Sequence, residues 1–334
     1  MKTLLKVLGV LVGVVLATIA ALVTTCALRW PPTFPDTPMP AITASDDPAV
    51  VARGDYLFNA VAHCTACHSP MTEYTSSRGE PVVPKGGHEW HMGPIGTLRS
   101  ANITPDEKTG VGAWSDGELA RVIRYGVRRD DRAALFMMSV GGMSDEDLTA
   151  IVSYMRSIPP VEHAVPDHDI GLLGKVLFQG PMGFFAEPHD YPPPPFVREG
   201  ETSVERGRYL AEGPAFCSGC HSDFDYDGTL QLDGQSASGN VGNPFPDATD
   251  HDYVLYAPNL TPDPETGHIT SWTKEQFMQR FRTGRVYMGS PMPWESYMNL
   301  TDADLESIWL YLRSLPPTPK SIGPVRRKAN EKLD

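Results

Sequence analysis

The longest apolar stretch of the chain lies at its N-terminus. After Lys2 and Lys6, residues 7–28 contain no charged side chain. At about 1.5 Å of rise per residue, a helix of this length crosses a hydrocarbon core of about 30 Å. The flanking lysines place its start on the cytoplasmic side. The pattern predicts a single-pass anchor over residues 1–29 in the cytoplasmic (inner) membrane, with the rest of the chain on the periplasmic side. A signal peptide cleaved after Ala20 is the alternative.

Proline-rich stretches divide the rest of the chain into two larger segments. Residues 30–45 hold five prolines and are predicted to form an extended stalk. Residues 161–199 form a second proline-rich segment, which is either a plain tether or a strap across both halves. Residues 319–334 are polar, and we expect this tail to fray. The segments between them, residues 46–160 and 200–318, are predicted to be the two folded domains.

Amphipathic helices follow in the same order in both segments. The last helix of each has apolar residues at i, i+3, i+4 and i+7, starting from Leu148 and from Leu305. Ser144 and Thr301 stand just before these helices as N-caps. A double proline ends each helix. Further helix starts are predicted from the cap residues Asp47, Ser115, Thr202 and Thr273.

The two segments are copies of one repeat. The matching stretches are residues 53–57 with 206–210, 102–106 with 259–263, and 154–160 with 311–317. Each copy therefore has about three helices joined by long loops. We expect an all-α fold with two tandem domains that arose by duplication.

Each copy contains one Cys-Xaa-Xaa-Cys-His pentapeptide, the attachment signature of c-type haem. The two thiols would add to the haem vinyl groups, and the adjacent His would ligate the iron. The two sets are Cys64, Cys67 and His68, and Cys217, Cys220 and His221. A zinc site requires four ligands around one metal, and a dithiol redox pair requires a βαβ context, so both fit less well. The sequence predicts two covalently bound haems c.

A methionine is the expected second axial ligand, since a thioether stabilises ferrous iron. In the second half, Met292 lies between Pro291 and Pro293, which stiffen the loop. The equivalent loop of the first half contains Met137 and Met138 without proline, and Met138 is slightly favoured. The other candidates in this half are Met143, His88 and His91, although each histidine is more typical of a solvated loop residue than of a ligand.

Charge and cysteine count narrow the possible partners. The formal net charge of -13 argues against nucleic acid as a partner. Four of the 5 cysteines belong to the pentapeptides, which leaves Cys26. An intrachain structural disulfide is therefore not expected. Cys26 is interpreted as a membrane-embedded thiol, with lipidation after cleavage as the alternative.

With these motifs in place, the chain resembles di-haem class I cytochromes c. It is most similar to the membrane-anchored cytochrome c subunits of periplasmic alcohol and sugar-acid dehydrogenases. The resemblance covers about residues 46–160 and 200–318. It implies that four residues pack around the haems, namely Asn102, Trp114, Asn259 and Trp272. Those subunits usually carry three haems, whereas this chain has two attachment motifs.

The expected function is electron transfer. Two irons that each have a His and a Met ligand leave no open site for a substrate. The chain would then pass electrons from a periplasmic dehydrogenase or other donor to a cytochrome or terminal oxidase of the respiratory chain. The alternative is a di-haem redox enzyme, similar to a peroxidase or a thiosulfate dehydrogenase, with an open or labile first haem. A sensor is less well supported, because the N-terminal side has no room for a signalling domain.

Overall fold

The computed structural model describes residues 2–135, 142–183, 186–188, 193–197, 200–223, 237–240 and 244–331. Its first element is a long helix, α1, over Lys2–Leu28. The side chains of α1 are mostly exposed. From Thr3 to Leu28 this helix is long and apolar enough to cross a membrane, a test that a signal sequence would also pass. In the described part of the chain it is the one helix that meets this test.

The first half is built from short helices around the first pentapeptide. They are α2 (Pro48–Tyr56), a π-helical turn (Leu57–Val61), α3 (Cys64–His68), α4 (Met71–Ser76), α5 (Asp116–Tyr125) and α6 (Asp145–Ser157). The caps predicted at Asp47, Ser115 and Ser144 are confirmed, since each side chain accepts a backbone N–H bond at its helix start. The segment between the halves adds α7 (Leu172–Leu177).

The second half repeats this order. Its helices are α8 (Val204–Glu212), α9 (Cys217–His221), α10 (Lys274–Arg282), α11 (Trp294–Tyr297) and α12 (Asp302–Ser314). The caps at Thr273 and Thr301 are confirmed. The cap predicted at Thr202 is wrong by one residue. Ser203 caps α8, because its hydroxyl accepts from the backbone N–H of Arg206.

Two small antiparallel sheets correct the expectation of an all-α fold. The strands are β1 (Glu89–His91), β2 (Gly96–Arg99), β3 (Asp169–Ile170), β4 (Phe245–Pro246), β5 (Tyr253–Leu255) and β6 (Arg326–Lys328). Their order is β1-β2-β3 in one sheet and β4-β5-β6 in the other. The registers pair Trp90 with Leu98 and Val254 with Arg327. Because β6 belongs to the C-terminal tail, the expectation that this tail frays is wrong for residues 326–328.

Close helix packing recurs in both halves. In the first half α2 packs on α6, and in the second half α8 packs on α12. A Cβ at Gly54 would lie 1.9 Å from the Ala150 carbonyl oxygen, and one at Gly207 would lie 1.9 Å from that of Ser307. The two glycines are required because only a residue without a Cβ allows this approach. They occupy matching positions in the repeat.

Buried ion pairs fasten the same helices. In the first half Arg53 donates to the carboxylate of Asp147. In the second half Arg206 donates to Asp304 at 2.8 and 2.9 Å. The side chains of Arg206 and Asp304 are 0% and 2% exposed. Both aspartates lie in the first turn of the last helix of their half, where the helix dipole stabilises negative charge.

Tyrosines join these ion pairs across the two halves. The hydroxyl of Tyr56 donates to Asp304 at 2.6 Å, and that of Tyr209 donates to Asp147 at 2.5 Å. Each hydroxyl also accepts a backbone N–H bond from the cap residue of the opposite helix, Thr301 or Ser144. We call these four bonds the tyrosine clasp. The clasp is reciprocal, and it holds the first and second halves against each other.

The hydrophobic core also extends across both halves. One cluster includes Leu57 and Met143 of the first half together with Leu210 and Leu305 of the second. A smaller cluster lies under the segment between the halves. It contains Leu98, Ala133, Ile170, Phe178 and Ala186, with Trp30 and Phe34 packed against it.

The predicted stalk does not stand free of the folded part. The Phe34 backbone N–H donates to the Asp131 carbonyl at 2.7 Å, and Arg121 donates to the Phe34 carbonyl at 2.9 Å. Trp30 packs against Phe178 of the segment between the halves. Residues 30–34 therefore lie along the first half. The domain boundaries predicted from the sequence stay predictions.

Removal of one clasp hydroxyl is expected to destabilise the fold. Tyr56→Phe takes a donor from buried Asp304, and Tyr209→Phe takes one from buried Asp147. Loss of a hydrogen bond to a buried charged group costs about 1–3 kcal/mol. Urea unfolding of the full chain measures the free energy of unfolding. In the control, Tyr125→Phe, the hydroxyl makes no hydrogen bond to the described residues. Equal stability of all three variants would contradict the role of the clasp.

Candidate haem-attachment sites

The two pentapeptides adopt the same backbone conformation. Each forms a single helical turn, α3 or α9, entered through a left-handed residue. His63 has φ 42° and Phe216 has φ 49°. In the second motif a Cβ at Gly219 would lie 1.9 Å from the Phe216 ring, so glycine is needed there. The sequence repeat is therefore matched by a local structural repeat at the motifs.

The four motif cysteines are buried thiols. Burial, and then the sulfur of the partner cysteine, raise the pKa of Cys64 to about 12 and that of Cys217 to about 12. The pKa of Cys67 is raised to about 11 by burial. Thiols held in the neutral form are poor metal ligands. Among the described residues, no group of three or more His, Cys, Asp or Glu is arranged to bind a metal ion. These features fit a cofactor attached through carbon–sulfur bonds.

The motif histidines are oriented by backbone carbonyls. His68 Nδ1 lies 2.8 Å from the Ala101 oxygen, and His221 Nδ1 lies 2.9 Å from the Pro258 oxygen. Burial lowers the pKa of His68, and it lowers that of His221 to about 4. Each imidazole is thus neutral, donates through Nδ1 and keeps the lone pair of Nε2 for a metal. This is the geometry that an axial haem ligand requires.

The loops that supply these carbonyls are fastened by asparagines. The Oδ1 atom of Asn102 accepts from the Thr104 N–H at 3.0 Å and from its hydroxyl at 2.7 Å. Its Nδ2 atom donates to the Val161 oxygen at 2.8 Å. Asn259 makes the corresponding bonds in the second half. Protein groups therefore occupy the polar atoms of both asparagines. We assign them to positioning the carbonyl loop, while direct haem contact stays a prediction.

The two predicted tryptophans lie at the surface of the core. Trp114 and Trp272 are both partly buried against the main cluster. Arg156 donates to the Trp114 carbonyl at 2.5 Å. Trp272 borders an open cavity of about 800 Å³ that runs along α10 and includes Arg280. Both side chains are available to contact a bound group, which leaves their predicted haem contact untested.

Met292 lies in a loop held by a buried ion pair that sequence reasoning missed. Arg285 pairs with Glu295 at 2.6 and 2.7 Å, and the two side chains are 7% and 4% exposed. The same guanidinium donates to the carbonyls of Ser290 at 2.5 Å and Met292 at 3.1 Å. Met292 itself is half-buried against the main cluster. The position of Arg285, directly after the helix-ending Gly284, was the one available sequence signal.

In the first half, the structure says less about which residue would be the second ligand of the haem iron. Met137 and Met138 lie outside the described residues. Met143 is fully buried in the main cluster, and its carbonyl accepts a bond from Arg124 at 3.0 Å. Met143 is thus a core residue.

The alternative histidine ligands of the first half differ in environment. His91 is exposed, as expected, but it ends strand β1 rather than lying in a loop, and its Nδ1 lies 3.1 Å from the Thr97 hydroxyl. His88 is buried and stacks on Trp90 with ring centroids 4.1 Å apart. Burial, and then the nearby His68, lower the pKa of His88. The expectation that His88 is a solvated loop residue is therefore wrong.

The two motifs lie next to each other across the interface. Tyr297 of α11 is buried there, donates to the Ala215 oxygen at 2.5 Å, and contacts the His63 ring at a centroid distance of 5.5 Å. Burial, and then the Cys67 sulfur of the other motif, raise the pKa of Cys220 to about 11. Nothing in the local sequence around Tyr297 marks this position, because its contacts are all distant along the chain.

Part of the chain matches a known family. The model for cytochrome c oxidase, cbb3-type, subunit III matches residues 49–155, which run from the second residue of α2 to two residues before the end of α6 and include the first pentapeptide. Proteins of the cytochrome c family hold haem c covalently. This match agrees with the buried thiols and the oriented His68 of the first motif.

The chain is also similar to several curated proteins. The cytochrome c subunit of an alcohol dehydrogenase (quinone) from Gluconacetobacter polyoxogenes is 30% identical over 299 residues, or 85% of this chain and 59% of that protein. The fructose dehydrogenase cytochrome subunit of Gluconobacter japonicus is 35% identical over 281 residues, or 81% and 54%. A diheme cytochrome c-type protein of Cereibacter sphaeroides is 25% identical over 282 residues, or 79% and 86%.

The chain covers different shares of these relatives. The chain spans 59% and 54% of the two dehydrogenase subunits, but 86% of the diheme protein. The resemblance predicted from the sequence is nevertheless confirmed, because the family match and the named relatives agree with it. The chain is similar to the c-type cytochromes and, in particular, to the cytochrome c subunits of alcohol, gluconate and fructose dehydrogenases.

Proposed function

We propose that the chain is a di-haem c-type cytochrome that transfers electrons between a dehydrogenase or other donor and a respiratory-chain acceptor. One observation carries the proposal. Two Cys-Xaa-Xaa-Cys-His turns, each with buried thiols and a histidine fixed through Nδ1, lie next to each other across one interface. Two redox centres so placed form a short relay rather than two independent sites.

The residues of each motif have separate tasks. Cys64 and Cys67, or Cys217 and Cys220, would hold the haem through thioethers, while His68 or His221 ligates through Nε2. Haem c, when bound, supplies a one-electron ferric/ferrous couple. Met292 is the proposed second ligand in the second half, and Met138, with Met137 as the alternative, in the first. The side chains of each half would thus supply two ligands to the iron and exclude other ligands.

We further propose that the two halves are tandem class I cytochrome c domains. Corresponding residues support this reading, since Gly54 and Gly207 allow the same helix approach. His68 and His221 likewise donate to carbonyls of corresponding loops, one in each half. The clasp would then fix the distance between the two haems. A fixed distance keeps the rate of transfer between them independent of motion between domains.

The donor is inferred from the relatives and the charge. Three of the relatives are named as cytochrome subunits of alcohol, gluconate or fructose dehydrogenases, so a periplasmic dehydrogenase of this kind is the proposed donor. The net charge of -13 would steer a cationic partner. The α1 helix would keep the chain at the cytoplasmic membrane, near a respiratory acceptor. Small transient interfaces suit such an electron carrier.

Haem content tests the proposal directly. The purified full chain should carry two covalent haems, measured by intact mass and by the pyridine haemochrome assay. The double variant Cys64→Ala/Cys67→Ala should retain one haem, and so should Cys217→Ala/Cys220→Ala. These paired variants control for each other, because each leaves the other motif intact. A full chain with one haem, or with none attached covalently, would overturn the proposal.

Carbon monoxide binding tests the ligand set. We expect neither haem of the reduced wild-type chain to bind carbon monoxide promptly, since both irons are closed. Met292→Ala should open the second iron, so that this haem binds carbon monoxide, turns high-spin and falls in reduction potential. Met288→Ala is the control, because Met288 is a largely exposed neighbour in the same segment. Prompt binding by the wild type would favour the alternative, a di-haem redox enzyme with an open first haem. If the second haem of Met292→Ala is unchanged, the assignment of Met292 as its ligand is wrong.

Arg285 and Glu295 are expected to position Met292. The guanidinium donates to the carbonyls of Ser290 and of Met292 itself, so Arg285→Leu should weaken the bond between the Met292 sulfur and the iron. Loss of one partner of a buried ion pair also costs about 3–5 kcal/mol of stability. The iron–sulfur absorption band and the potential of the second haem are the readouts, with the first haem as internal control. A stable Arg285→Leu/Glu295→Leu chain with both readouts at wild-type values would refute the positioning role.

A further inference from the structure

The segment that contains α7 lies beside the last turns of α1. The side chain of Gln179 donates to the Cys26 carbonyl at 2.7 Å. Helices α1 and α7 are in direct contact, and the Trp30 ring packs on Phe178 with centroids 6.0 Å apart. The segment between the halves therefore does more than connect them, while its predicted role as a strap across both halves stays a prediction. It covers one side of the C-terminal end of the apolar helix.

The shielded side of α1 shows how deep this contact reaches. Near its C-terminal end, Val23, Cys26 and Ala27 are partly or fully buried, whereas Leu22 and Leu28 are exposed. The shielded residues have the i, i+3, i+4 spacing of one helix face. At about 1.5 Å per residue, Val23 lies about 7 Å below Leu28 along the axis. If α1 spans the membrane up to Leu28, its covered face is within the interfacial layer.

The outer side of α7 is apolar and exposed. Leu172 is 54% exposed and Leu173 is 49% exposed. The opposite side of the helix is fixed to the first half, because a Cβ at Gly174 would lie 2.3 Å from the Ile95 carbonyl oxygen. Single exposed leucines are ordinary on protein surfaces. These two differ because they lie on a helix in contact with the end of a membrane-spanning candidate.

We propose that α7 is a second membrane contact, with Leu172 and Leu173 inserted at the headgroup–acyl boundary of the bilayer that α1 spans. The proposal rests on the membrane anchoring in the proposed function. Interfacial helices bury their apolar side about 5–10 Å into this boundary. The covered face of α1 extends over a similar depth, about 7 Å from Leu28 to Val23. Arg29 at the end of α1 and Lys175 of α7 are available to lipid phosphates, as basic side chains near a membrane surface are.

A two-point attachment would orient the first half on the membrane. Phe178 shares the smaller cluster with Leu98 of β2. Strand β2 ends at Arg99, and Ala101, two residues further along the chain, is the acceptor for His68. The membrane contact is therefore connected to the first motif through packed residues. One apolar helix alone would leave the domain free to tilt relative to the membrane plane.

Lipid photo-crosslinking of the full chain tests this contact. The holoprotein is placed in nanodiscs of phosphatidylethanolamine and phosphatidylglycerol that include a phospholipid with a diazirine on its acyl chain. After irradiation, peptide mass spectrometry locates the adducts. We expect adducts in α1 and, severalfold above background, in the peptide that contains residues 171–179. The peptide that contains Val286 sets the background, because this residue is 69% exposed in the second half.

Two variants sharpen the outcome. Leu172→Glu/Leu173→Glu should lose the adducts of the α7 peptide and keep those of α1, whereas Val286→Glu should change neither. An α7 peptide labelled no more than the Val286 peptide would overturn the second contact and leave the anchor in place. Intact mass separates the other failure. If intact mass shows that the mature chain lacks α1, both the membrane anchor and the α7 contact are overturned. The proposed electron-transfer function would still stand, because the haem count and the carbon monoxide result do not depend on α1.

Discussion

Two buried carboxylates, Asp147 and Asp304, hold the structure together. Each accepts hydrogen bonds from an arginine guanidinium of its own half and from a tyrosine hydroxyl of the other half. A buried charge is tolerated only when it is paired and hydrogen-bonded, so neither carboxylate can lose a partner cheaply. Because these side chains lie at the starts of α6 and α12, the packing within each half and the contact between halves depend on the same two groups.

The clasp is also continuous with the motifs. Tyr56 ends α2, and the π-helical turn Leu57–Val61 follows it directly and leads to His63 and the first pentapeptide. In the second half Tyr209 lies in α8, which leads to Phe216 and the second pentapeptide. A shift of either tyrosine would therefore move the backbone that enters a motif. The same bonds that join the halves fix where the two Cys-Xaa-Xaa-Cys-His turns lie.

Local patterns in the sequence predicted what depends on neighbours along the chain. The pentapeptides, most helix caps and the repeat belong to this group, and the misplaced cap at Thr202 is an error of one residue. The short strands carry too few residues to show alternation, so the two sheets were missed. The clasp and the Arg285–Glu295 pair could not be predicted, because their partners meet only after folding. The sequence repeat shows that Tyr56 and Tyr209 occupy matching positions. It does not show that each hydroxyl bonds to the aspartate of the other half.

The repeat also shows where the two sites diverge. Gly126 and Gly284 end matching helices, and the next residue is buried Val127 in the first half but Arg285 in the second. The second loop is thus held by a buried ion pair, whereas the matching position of the first carries no charge. Helix α1 contacts α7, while residues 30–34 and α7 contact the first half. The two halves therefore share the geometry of their motifs and differ in what adjoins them, since α7 joins α1 to the first half and a buried ion pair holds the Met292 loop of the second.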